Sequence, residues 1–200
     1  MELVRNFLFI LLTAALMQNT VFARAMGIGR ETTQLSSPEK IFLFGGSLTY
    51  VAFFSALLTY PLALLCEHFI ALENQTIARY LLAILMICLV YLVSWLVTRR
   101  FLPVVHYYIR ELFAAATFNC AVLGTVLITY VSNYSFAFTL VYAVGSGIGY
   151  TLALLLIHEG NRRIALSDIP RSFRGLPITI LYIGILSLAI YGLIGHQLPT

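Results

Sequence analysis

The sequence predicts an all-α integral membrane protein of six transmembrane helices arranged as two inverted three-helix halves. Hydrophobic residues make up 60% of the 200 and charged residues only 10%, with a mean hydropathy of +0.93. Such a chain has too little polar surface to coat a water-soluble globule. Six apolar runs fill it, each close to the roughly 20 residues that a helix needs to cross a hydrocarbon core about 30 Å thick. The second half also repeats features of the first at an offset of 100 residues.

Segment one, Asn6 to Phe22, follows Glu2 and Arg5 and ends near Ala23-Arg24-Ala25, a layout that a cleaved signal peptide would share. Gln18 and Asn19 are poor choices for a signal's apolar core, and the repeat claims the segment as structure, so the reading is a first helix. Arg24 to Lys40, rich in Gly, Ser, Thr and charge, reads as a loop entered through Gly27 and Gly29. Segment two, Ile41 to Cys66, carries Gly45 and Gly46 near its start and Pro61 as an expected kink. Glu67, His68, Glu73 and Asn74 make a polar turn into segment three, Ile77 to Val97, and Arg99, Arg100 and Pro103 stop that run.

Segment four is the apolar run Leu112 to Val131, with Thr117-Phe-Asn-Cys-Ala-Val-Leu-Gly124 in its middle. Segment five, Phe136 to Ile157, contains Gly145-Ser-Gly-Ile-Gly149, small residues that let another backbone approach closely in lipid. A charged loop, His158 to Gly175, leads to segment six, Leu176 to Ile194.

The offset of 100 brings Ala14-Ala15 onto Ala114-Ala115, Asn19 onto Asn119, Gly45 onto Gly145 and Tyr50 onto Tyr150. It superposes segments one, two and three on four, five and six without a gap, so residues 1–100 and 101–200 read as two repeats within a single membrane domain. Three helices is an odd number, so the second half enters the membrane from the opposite side. Lys and Arg then fall 2 on the N-terminal side (Arg5, Arg79) and 10 on the other, which accounts for all 12. By the positive-inside rule both termini face outward and the Arg-rich loops are cytoplasmic.

The net charge of +4 does not indicate nucleic acid, because the basic residues sit in loops and form no single stripe. Cys66, Cys88 and Cys120 lack C-x-x-C spacing, which argues against a disulfide framework or a self-contained zinc site. His68, His106, His158 and His196 flank helices, and neither a nucleotide motif nor a Ser/His/Asp constellation is present, so stand-alone catalysis is not expected. The candidate site is the pair of related amides, Asn19 and Asn119. Inverted repeats bring such positions together near the bilayer midplane, where polar groups are costly and often functional. An amide there also caps a helix interrupted in lipid, whose freed backbone groups need partners.

The run Thr117-Phe-Asn-Cys-Ala-Val-Leu-Gly124, the loop Ala165-Leu-Ser-Asp-Ile-Pro-Arg-Ser-Phe-Arg-Gly175 and the following Leu-Ser-Leu-Ala-Ile-Tyr-Gly192 resemble the RnfA, RnfE, NqrD and NqrE family. These are membrane subunits of Rnf and sodium-pumping NADH:quinone reductase complexes. The resemblance spans essentially the whole chain, and the outward-facing RnfA and NqrE types fit the charge count best. It implies six helices in two inverted halves, with helices one and four broken near mid-membrane. It also implies an RnfA-like subunit of an ion-translocating electron-transport complex in a bacterial inner membrane, relaying electrons across it. The partners it implies are other complex subunits, above all a homologous subunit of inverted topology.

The cofactor it implies is a [2Fe-2S] cluster shared between paired subunits, each giving one cysteine per half. Cys120 matches the second-half metal ligand, and Asn19, Asn119 and Gly124 are the expected cofactor-binding neighbours. The first-half cysteine, expected in a Gly-Leu-Cys-Pro run, falls instead on Gly29 in Gly27-Ile28-Gly29-Arg30. That departure leaves a second reading open, a transporter-like or scaffold membrane protein of the same fold without a redox centre.

Overall fold

The computed structural model describes residues 2–29, 35, 37–69, 75–168 and 170–194, and every regular element among them is helical. The helices are α1 (Glu2–Leu12, continued by a π-helical turn over Thr13–Met17), α2 (Pro38–Phe69), α3 (Gln75–Phe101), α4 (Pro103–Thr117), α5 (Cys120–Val131), α6 (Phe136–Ala165) and α7 (Leu176–Ile194). By length and composition α2, α3 and α6 each suffice to cross a membrane, and α4 and α5 are an apolar pair bent by 47° at their break, the geometry of a broken span or of a re-entrant loop. The apolar parts of α1 with its π turn and of α7 are shorter, Val4–Met17 and Leu176–Gly192.

Several boundaries differ from the sequence expectation. Helix α2 continues through Pro61 and past Cys66 to Phe69. Helix α4 starts at Pro103, well before Leu112, because proline at the first helical position has no N–H to leave unpaired. Helix α6 continues to Ala165, into what the sequence suggests is loop. Its charged end is stabilised by Glu159, which pairs with Arg163 at 3.2 Å and Arg162 at 3.9 Å, and by Asn161, whose Oδ1 accepts from Thr179 Oγ1 at 2.9 Å. These polar side chains favour a helix that outruns the apolar layer.

Helix α6 is the axis of the bundle. Over its apolar window 56% of residues are buried, against 44% for α2 and 28% for α3, so α3 presents most of its surface outward. Close approach depends on small residues, since lipid offers no hydrophobic drive between helices. Cβ atoms at Gly145 and Gly149 would strike the backbone of α1 and its π turn at Leu11 and Ala15. Gly45 of α2 faces Thr151 of α6, and Gly147 of α6 faces Thr49 of α2. All three glycines of the Gly145–Gly149 run thus pack against first-half helices, as the small-residue pattern predicts.

Ring contacts gather the helix ends. Phe7 lies 5.3 Å from Phe138, and Tyr60 5.4 Å from Phe136, which puts the start of α1, the later part of α2 and the start of α6 together. At the other end His158 Nδ1 is 3.1 Å from the Leu35 carbonyl oxygen, and Trp95 is 5.7 Å from His106.

Candidate functional site at the helix break

The α4–α5 break is built by its sequence. Phe118 ends α4 with its N–H on the Ala114 carbonyl at 3.1 Å. Asn119 then adopts an extended backbone (φ −75°, ψ 134°) and caps α5, its Oδ1 accepting from the Ala121 N–H at 2.9 Å. Asparagine is among the best N-cap residues because this acceptor satisfies a donor that a helix start leaves orphaned. In lipid, that satisfaction is obligatory.

Asn19 does the same work in the first half. Its Oδ1 accepts from Val21 N–H at 2.9 Å and Phe22 N–H at 3.3 Å, after the π turn closed by Gln18 N–H on Thr13 O at 2.8 Å. Among the described residues the first-half break leads into a single turn, with Ala23 and Ala25 N–H groups on the Asn19 and Val21 carbonyls, where the second half has a helix of 12 residues. The halves are therefore alike in the cap and unlike in the segment after it.

Both amides reach α6, at adjacent residues. Asn19 Nδ2 donates to the Ala15 carbonyl at 2.9 Å and to the Gly149 carbonyl at 2.8 Å. Asn119 Nδ2 donates to the Tyr150 hydroxyl oxygen at 3.0 Å and to the Gly27 carbonyl at 3.3 Å. The Tyr150 hydroxyl in turn donates to that same Gly27 carbonyl at 2.7 Å, and the Gly27 N–H donates to Cys120 Sγ at 2.9 Å. A closed circuit of Gly27, Cys120, Asn119 and Tyr150 results, joining the first-half loop to the second-half break. Asn19 is 4% exposed with its amide fully used, which makes it an anchor of the π turn on α6. Asn119 is half-buried, and Cys120 is exposed.

Gly124, expected beside a cofactor, is buried one turn past Cys120, and a Cβ there would lie 2.5 Å from Met26 Sδ. Its place is in seating the loop at Met26 and Gly27. Gly27, Met26 and Tyr150 are not among the site residues that the sequence suggests. The signals for two of them lie in Tyr150 as half of a repeat pair and in Gly27 as the entry to the loop.

The resemblance implies two thiolates from this chain, and the site supplies one. Cys88 lies on the outward-facing α3, and among the described residues no group of three His, Cys, Asp or Glu side chains is placed to hold a metal. The loop that should bring the second thiol does arrive at Cys120, but it carries Gly29, which is exposed. The residues present do not fit a [2Fe-2S] cluster held by two cysteines of this chain, since such a cluster takes four thiolates or close substitutes from its protein partners.

Comparison with known proteins agrees with the specificity of the motifs. A family model described as "Rnf-Nqr subunit, membrane protein" matches residues 7–196. The chain is 32% identical to the A subunit of the ion-translocating oxidoreductase complex of Syntrophotalea carbinolica, over 96% of this chain and 97% of the relative. It is 30% identical to the protein of the same name from Cereibacter sphaeroides, over 95% and 97%. It is 29% identical to the A subunit of the Na(+)-translocating ferredoxin:NAD(+) oxidoreductase complex of Acetobacterium woodii, over 96% and 98%. With the match covering nearly its whole length, the chain belongs to the Rnf-Nqr subunit family of membrane proteins.

Proposed function

We propose that the chain is an A-type membrane subunit of an ion-translocating oxidoreductase complex of the Rnf kind, seated in a bacterial inner membrane beside a homologous subunit of inverted topology. The observation that carries this is the likeness to the A-type relatives over at least 95% of both chains. In this reading six helices cross the membrane in two inverted halves, and helices one and four break near its midplane.

The packing of α2 on α6 supports the inversion. Moving forward from Gly45 to Thr49 on α2 moves backward from Thr151 to Gly147 on α6, so the two helices run antiparallel. Followed along the helices, that register passes through Leu48 and Ile148, positions 100 apart, which is the offset of the sequence repeat. A two-fold axis in the membrane plane relates repeats in this way. The ring and hydrogen-bond contacts at the bundle ends also keep Arg99, Arg100, Arg162 and Arg163 apart from Arg5, as the positive-inside assignment requires. A reporter that is active only in the cytoplasm, fused after Thr200, is expected to be silent, and a strong signal there would reverse the orientation.

Within the complex, Asn19, Asn119, Tyr150 and Gly27 hold the broken helices in register and present Cys120 Sγ at an exposed position. No electron-transfer step is assigned to this chain's residues, because the thiolate set is incomplete. Between a subunit with a redox centre of its own and one that keeps only the fold and the assembly role, Gly29 and Arg30 in place of the family's cysteine and proline favour the latter. The complex isolated from cells carrying Cys120→Ala distinguishes the two. Iron content and visible absorption equal to the unmodified complex fit the scaffold role. Loss of both, with the chain still in the membrane, identifies Cys120 as a ligand whose partners come from another chain.

A further inference from the structure

Between α2, α3 and α4, at the bundle end that carries Arg99, Arg100 and Arg110, the surface opens into an apolar cavity of about 440 Å³. A second, of about 570 Å³, lies across α2 against α6. Phe42, Gly46 and Tyr50 wall both. Their spacing of four puts them on successive turns of one face, so they form the ridge between the cavities. Gly46 is exposed, and a Cβ there would meet no atom within 4 Å. It makes a low point in the ridge between two aromatic rings.

Four polar side chains inside the first cavity pair with one another. The Tyr50 hydroxyl lies 3.1 Å from Ser94 Oγ, and Thr98 Oγ1 lies 3.1 Å from His106 Nδ1. Among the described residues Arg110 is then the one permanently charged side chain in its lining. Its contact with Glu111, at 3.6 Å between exposed side chains, is of the weak surface kind. Arg99 lies 5.1 Å over the Trp95 ring, on the same wall. An apolar interior with a cationic mouth selects an amphiphile with an anionic head.

We propose that the two cavities bind one anionic glycerophospholipid, its acyl chains on either side of the Gly46 notch and its phosphate at Arg110, with Arg99 and Arg100 adding attraction. The lipid would seal the face where α2, α3 and α4 leave a gap. This site is separate from the Gly27–Cys120 circuit and does not depend on how the redox question resolves.

The test is native mass spectrometry of the full chain released from detergent with phosphatidylglycerol or phosphatidylcholine present. About fivefold stronger retention of phosphatidylglycerol is expected, which corresponds to one arginine near a charged headgroup. Arg110→Gln, which alters an exposed side chain, should remove most of that preference, and an unchanged preference would overturn the proposal. Gly46→Leu, which fills open space, should lower retention of both without changing the unfolding temperature. Equal retention by the unmodified chain overturns the proposal, as does full phosphatidylglycerol retention by Gly46→Leu. It is also overturned if, in the intact complex, Gly46→Leu keeps its lipid but sheds a neighbouring subunit, since that outcome assigns the cavities to a protein helix.

Discussion

Gly149→Leu is expected to abolish folding of the membrane-inserted chain. A Cβ at this position already overlaps the carbonyl oxygen of Ala15 and comes within 2.7 Å of its Cα. Those atoms belong to backbone, which does not yield as the tip of a side chain would. Overpacking a tight contact costs about 1–3 kcal/mol even where neighbours relax, and here the displaced group is also the stretch that Asn19 ties to the Gly149 carbonyl. Separating α1 from α6 leaves the buried Asn19 amide with an unpaired N–H, adding roughly 1–3 kcal/mol. The readout is the fraction of extracted chain that elutes as a single species from a sizing column, expected to fall close to zero. Gly184→Leu is the control, because Gly184 is exposed and a Cβ there meets nothing within 4 Å. Normal recovery of Gly149→Leu would mean that α1 does not rest on α6.

Gly27→Ala is expected to lower the unfolding temperature by roughly 10 °C, the shift that about 3 kcal/mol produces in a chain of this size. Two costs combine at that residue. Its φ of +79° is left-handed backbone, which costs a residue with a Cβ about 1–2 kcal/mol. The methyl group would also overlap Asn119 Oδ1 and lie 2.7 Å from Tyr150 Cε2, pushing apart the cap and the hydroxyl that hold the loop. Gly29→Ala, with open space around its Cβ, should leave the temperature unchanged. Equal behaviour of the two variants would show that the loop does not close on the break.

How much of this is legible in the sequence depends on the kind of residue that carries the feature. The Asn119–Cys120 pair stands out because polar groups inside an apolar run need partners, and the cap it makes follows from side-chain chemistry alone. The small-residue run from Gly145 to Gly149 announces its contacts for a similar reason. Tyr150 does not, because a tyrosine within an apolar helix reads equally well as an interfacial anchor, and only the fold brings its hydroxyl to the Gly27 carbonyl. Gly124 enters the sequence reading only through the motif it belongs to, and the fold alone puts Met26, from a loop nearly 100 residues away, against it. The extension of α6 past Ile157 is hidden because Glu159, Arg162 and Arg163 mark a polar loop as readily as they mark an exposed helical turn. The single turn after Asn19, against the full helix after Asn119, has no counterpart in the periodicity of the sequence.

The assignment as a complex subunit rests on likeness along nearly the whole chain, and isolation from native membranes tests it most directly. A tag on the chromosomal copy, gentle solubilisation and quantitative mass spectrometry of the peak give the composition. The expected peak holds a second chain of the same Rnf-Nqr family in fixed ratio with this one, accompanied by the remaining subunits of an oxidoreductase. A peak containing this chain alone, at full yield and correctly folded, would contradict the assignment.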